Sequence, residues 1–174
     1  LLLPSLAAAH ACKVGERVPA VGVNDKGELL YQQEKFRYQP WNSAKLSGKV
    51  RVILHIAGRS SAKEQNAALI EAIKAAQLPH DRYQTTTVVN TDDAIPGTGM
   101  FVRSSIESNK QQYPWSQFIV DSDGAARQAW QLQEKGSAVV VLDKEGRVRW
   151  AKDGALTQQE VQQVVNLLRK LLSE

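Results

Sequence analysis

In Gly48-Lys49-Val50-Arg51-Val52-Ile53-Leu54-His55-Ile56-Ala57-Gly58-Arg59-Ser60-Ser61-Ala62-Lys63-Glu64, a nearly unbroken apolar run from Val50 to Ile56 passes through Gly58 into Ser61-Ala62-Lys63-Glu64, which has the spacing of a capping box. A strand without polar alternation is one covered on both faces. The helix it feeds places Leu69, Ile70, Ile73 and Ala76 on one side before Leu78-Pro79 stops it. Strand, loop and amphipathic helix in this order form the building unit of a layered α/β protein.

Upstream, Val18-Pro19-Ala20-Val21-Gly22-Val23, Asn24-Asp25-Lys26-Gly27 and Glu28-Leu29-Leu30-Tyr31 read as strand, turn and strand. Residues 32 to 47 read as irregular, anchored by Phe36, Tyr38, Trp41 and Leu46. Downstream, Thr85 to Asn90 is rich in β-branched residues and predicts a strand. A helix over residues 99–111 and a short strand, Gln117 to Val120, follow the Asp92-Asp93 and Pro96-Gly97 loop. The turn Asp121-Ser122-Asp123-Gly124 leads to a helical piece, Ala125 to Leu132. Ala138 to Leu142, Asp143-Lys144-Glu145-Gly146 and Arg147 to Trp150 give the clearest hairpin pattern in the chain. A second capping box, Thr157-Gln158-Gln159-Glu160, opens a final helix with Val161, Val164, Val165, Leu168, Leu171 and Leu172 on one stripe. The expected fold is α/β, with a mixed central sheet and helices on both faces.

The 174 residues suffice for one domain with a substantial core, and 43% apolar with 23% charged residues is a globular balance. The net charge of +4 arises from charges alternating in sign, as in Lys144-Glu145 and Lys152-Asp153, so no nucleic-acid footprint is visible. Leu1-Leu2-Leu3-Pro4-Ser5-Leu6-Ala7-Ala8-Ala9-His10-Ala11 is apolar and ends in a small-x-small pattern. It predicts the remnant of a secretory signal peptide over residues 1–11 and a single domain over 12–174. The stretch is too short to span a bilayer, and no later segment approaches that length. A buried N-terminal element is the structural alternative, though Pro4 and the alanine run suit neither helix nor strand. Cys12 is the only cysteine, so no intramolecular disulfide can form. It is read as a free, exposed and inert thiol, with lipid attachment as the alternative.

The order of elements resembles the thioredoxin-like superfamily. So do Gly48-Lys49 before the central strand and the strand, Asp-x-x-Gly turn and strand near the end. More closely, His55 through Glu64, Val89-Asn90-Thr91-Asp92-Asp93-Ala94-Ile95-Pro96-Gly97 and Met100-Phe101-Val102-Arg103 resemble the YtfJ family of Gram-negative periplasmic proteins. That resemblance implies a thioredoxin-like three-layer fold and a periplasmic location, but no reaction. Redox-active thioredoxins carry C-x-x-C at the mouth of the helix after the central strand, where the helix dipole lowers the first thiol's pKa. Here Ser60-Ser61-Ala62-Lys63 occupies that place, and a hydroxyl cannot exchange with a disulfide. Thiol oxidoreductase, isomerase and cysteine-peroxidase activities are therefore not expected. Ser137 stands where the superfamily's cis-proline would align, which predicts a trans peptide and an altered groove.

Ser60-x-x-Lys63 also matches the nucleophile motif of penicillin-binding proteins, but the S-D-N and K-T-G companions are missing. The structural alternative is a helix-capping Ser60 or Ser61 with a solvated Lys63. His55, inside an apolar strand, reads as a core residue and His80 as a loop residue. Their spacing suits no standard metal site, and neither metal nor cofactor is expected. Asp92 and Asp93 should fall at the sheet edge that also carries the start of the helix, with Arg59, Lys63 and Arg103 in reach. Solvated loop charges would look the same. Trp41, Tyr113, Trp115, Trp130 and Trp150 read as core and rim packing. The expected ligand-binding set is Arg59, Ser60, Ser61, Lys63, Asp92, Asp93 and Ser137. The function expected is binding of a periplasmic protein, a peptide or a small polar ligand, and the alternative is a hydrolase or transferase using the same polar groups.

Overall fold

The computed structural model describes residues 10–174, so most of the expected signal remnant, residues 1–9, lies outside the described residues. Fourteen elements follow. The strands are β1 (Gly22–Gln32), β2 (Lys35–Asn42), β3 (Val50–Ala57), β4 (Tyr83–Asn90), β5 (Gln117–Asp121), β6 (Ser137–Leu142) and β7 (Val148–Asp153). The helices are α1 (Ser60–Glu64), α2 (Ala67–Ala76), α3 (Gly99–Gln112), α4 (Ala125–Trp130) and α5 (Gln158–Leu172). Two short 3-10 turns, Ser43–Leu46 and Thr91–Asp93, complete them. All strands join one sheet in the order β2-β1-β5-β4-β3-β6-β7. The β3-β4 and β4-β5 pairs are parallel, and the others are antiparallel.

The apolar run around β3 is apolar because it lies at the centre of this sheet. On one face Val52, Leu54, Val139 and Val141 meet Leu69 of α2 and Val161, Val164 and Leu168 of α5. Farther along the same face, Ile106 of α3 covers Val89, Phe118 and Val120. On the opposite face Ile53, Val88, Ile119 and Val140 pack with Ala126 and Trp130 of α4, Trp41 and Cys12. Each buried aliphatic side chain contributes about 1.5–3 kcal/mol on leaving water.

Several local expectations change. The first strand begins at Gly22, later than expected, and is continuous to Gln32 through a register shift between Val23 and Glu28. Gly27 makes that irregularity possible: its φ is +88°, and a Cβ there would lie 2.0 Å from the Gln39 carbonyl oxygen. Residues 35–42, expected to be irregular, form the edge strand β2, where Pro40 is tolerated because no neighbour needs its missing N–H. Cys12 is 1% exposed, not a surface thiol, and burial aided by the negative charge of Asp153 pushes its pKa up to about 12. A lipid chain on its sulfur would have to leave the core it occupies. Trp41 and Trp130 are core residues, whereas Trp115 is exposed. The capping box expected at Thr157 is present in both directions.

Candidate functional site at the tip of the first helix

Because β3 and β4 are parallel and in register at Ala57 and Asn90, both end at the same edge of the sheet. Backbone bonds tie the loops there together: Gly58 N–H donates to Asn90 O at 2.9 Å, and Ala57 N–H to Gly136 O at 3.0 Å. Arg59 sits in extended conformation at the N-cap of α1 without a capping side-chain bond, so neither Ser60 nor Ser61 caps the helix. Nor does Glu64 close a capping box, because with Arg59 at the N-cap the third helical position is Ala62; α1 ends at Glu64 and the helix resumes at Ala67. The interruption turns Asn66 inward, where its Nδ2 donates to the Ser137 hydroxyl.

Arg59, Ser60 and Lys63 line a cleft of about 390 Å³ between this turn and α3. Arg59 Nε donates to the Asp93 carbonyl at 2.8 Å, which fixes the side chain but leaves its charge without a carboxylate partner. Neither Arg59 nor Lys63 enters an ion pair among the described residues. Of the remaining expected residues, Ser61 is exposed and outside the cleft. Asp92 is exposed at the turn after β4, its N–H held by Asn90 Oδ1 at 3.1 Å. Asp93 is a structural staple: its Oδ2 accepts from Lys135 N–H at 2.9 Å and Asn90 Nδ2 at 3.3 Å. Ser137 is 2% exposed, follows a trans peptide and is occupied by Asn66, so it does not face the cleft. No hydrogen bond joins Ser60 to Lys63 among the described residues, although nucleophile activation would require a base within bonding reach.

The other wall was not foreseen. Ile95, Phe101 and Val102 line the cleft, and Ile95 and Phe101 remain 49% and 77% exposed. Their apolar character was visible in the sequence, but α3 read there as an ordinary packing helix. Behind the cleft a cavity of about 980 Å³ continues between α2 and α3, floored by Leu54, Ile56, Thr85, Thr87 and Phe118. His55 is 3% exposed on the opposite side of β3, edge-on to Trp130, with its Nε2 unpartnered. Burial lowers its pKa to about 4, against the raising influence of Asp93. Among the described residues no group of three or more His, Cys, Asp or Glu could hold a metal ion, and no helix is long and apolar enough to cross a membrane.

A central parallel strand feeding an interrupted helix, a closing antiparallel hairpin and a C-terminal helix together define a thioredoxin-like domain. A thiol-disulfide isomerase from Corynebacterium glutamicum superposes with a TM-score of 0.57, covering 94% of this chain and 97% of that one, at 15% identity, so the likeness is one of fold. The chain belongs to the YtfJ_HI0045 family, bacterial proteins of unknown function, whose profile matches residues 12–171. It is 71% identical to the uncharacterized protein YtfJ of Escherichia coli strain K12 over 99% of this chain and 94% of that protein. It is 44% identical to an uncharacterized protein of Haemophilus influenzae over 94% and 89% of the two chains.

Proposed function

We propose that this protein is an exported periplasmic binding domain without a thiol redox role, and that its ligand enters the cleft beside α1. The observation that carries this reading is the wall of that cleft: at the place thioredoxins use for sulfur stand Arg59, Ser60 and Lys63, facing Ile95 and Phe101. Two cations outside any ion pair among the described residues, beside exposed apolar side chains, form a recognition surface, while the single cysteine is buried elsewhere. Asp92, Asp93, Ser61 and Ser137 are support or periphery in this reading. Export rests on the apolar leader ending in Ala9-His10-Ala11.

The test combines capture of periplasmic partners with thermal-shift screening of anions and peptides. Binding that Arg59→Ala and Lys63→Ala both weaken, with the fold intact, supports the cleft, and ligands indifferent to both substitutions overturn it. Turnover of an ester or phosphate substrate abolished by Ser60→Ala would instead establish the hydrolase alternative. Cell fractionation tests location, and a cytoplasmic pool of unprocessed protein alone would refute export.

A further inference from the structure

The cleft and the cavity behind it are one groove: Ile56, Lys63, Thr87, Asn109 and Phe118 line both. The groove has a polarity. At the α1 end its only charged lining residues are Arg59 and Lys63, both cationic and outside any ion pair among the described residues. From there it runs between α2 and α3, with Leu54, Ile56 and Phe118 below and Ile70 and Ile73 at the side. At the far end the cation Lys74 is already engaged, 3.4 Å from Glu71 and 2.9 Å from the Tyr113 hydroxyl, and the remaining charged lining residue, Asp81, is acidic. Along β4 the floor from Tyr83 to Thr87 is ~13 Å long at about 3.3 Å per residue. Small-molecule sites occupy roughly 300–1,000 Å³, and this cavity falls within that range.

We infer that the groove binds a single-chain anionic amphiphile, with its carboxylate or phosphate head on Arg59 and Lys63 and its alkyl chain between α2 and α3. An alkyl chain needs no hydrogen bonds there. A polypeptide would, and the floor strands offer it no edge, because β3, β4 and β5 are each paired on both sides. Asn66, 1% exposed and bonded to Ser137, is closed off in the wall and leaves the head to the two cations. The inference rests on the binding reading above and adds the ligand class to it.

Calorimetric titration of the mature protein with sodium dodecanoate and with dodecyl phosphate, both below their micellar concentrations, tests it. Saturable binding of at least one is expected, and the tighter of the two identifies the head group. Lys63→Glu, at an exposed position, should weaken it by about tenfold or more, as loss of a charge-assisted contact does, and dodecanol should bind weaker by a similar factor. Ile73→Trp should block the chain. Should that variant fail to fold, a spin-labelled dodecanoate reports instead, and it should broaden the amide signals of Ile73 and Phe118. Saturable binding of neither amphiphile overturns the inference, as does binding indifferent to Lys63→Glu, or broadening confined to the α4 face of the sheet. If both amphiphiles fail while a captured partner still depends on Arg59, the amphiphile is refuted and the binding domain stands.

Discussion

His55 should make this protein lose stability in mild acid, and replacing it should remove that loss. The imidazole is 3% exposed between Trp130 and the sheet, and burial holds its pKa at about 4 although Asp93 pulls it upward. In the unfolded chain the same group titrates at its ordinary value of 6.5. Below that pH the unfolded chain binds a proton that the folded chain refuses, so stability is full above 6.5 and falls as pH drops toward 4. A displacement of this size corresponds to about 3 kcal/mol at ~1.4 kcal/mol per unit, an appreciable part of a small domain's total. Carboxylates also titrate in this window, so the effect is read as a difference between proteins. Guanidinium unfolding of the parent and of His55→Leu should give midpoints that are close at pH 7 and diverge steadily toward pH 4.5, the variant being the more acid-resistant. Leucine is expected to be tolerated because Nε2 makes no hydrogen bond that it would forfeit. Parallel pH profiles, or an imidazole resonance that titrates near 6.5 in the native protein, would refute the reasoning.

Three further outcomes follow from the packing. Gly27→Ala should destabilise by more than the ~1 kcal/mol typical of a glycine substitution, seen as a lower urea midpoint, because its Cβ would enter the Gln39 carbonyl at positive φ. Thr157→Ala should cost about 1 kcal/mol, since the Thr157 hydroxyl accepts from Glu160 N–H at 3.1 Å and Glu160 Oε1 accepts from Thr157 N–H at 2.8 Å. Cys12 should be alkylated about a thousandfold more slowly in the folded protein than in urea at pH 8, because raising the thiol from 9.0 to about 12 suppresses the thiolate by that factor. Comparable rates measured by mass spectrometry would place the thiol outside the core.

The architecture was legible wherever burial is two-sided or strictly periodic. β3 and β6 needed only their unbroken apolar runs, and α5 only its stripe and capping box. β2 was not legible, because a strand at the edge of the sheet carries Lys35, Arg37 and Pro40 without penalty and then resembles a loop. The site divided along a different line. Arg59, Ser60 and Lys63 were placed by their distance from β3, which the strand fixes. For Ser137 and Asp93 the sequence does not reveal that each oxygen already has an internal donor: Asn66 claims one, and Lys135 and Asn90 the other. The groove was beyond reach for a third reason. Ile70 and Ile73 on α2 and Val102 on α3 have the spacing of helices packed on their neighbours, and that spacing is the same whether the neighbour is another helix or a gap. Only the distance at which α2 and α3 settle on the sheet distinguishes the two. That distance follows from what each helix packs on: Leu69 on the β3 side with α5, and Ile106 over Val89, Phe118 and Val120. The two anchors lie on different strands, and the space left over β4, with threonine rather than valine at positions 85 and 87, is the opening on which the proposed binding depends.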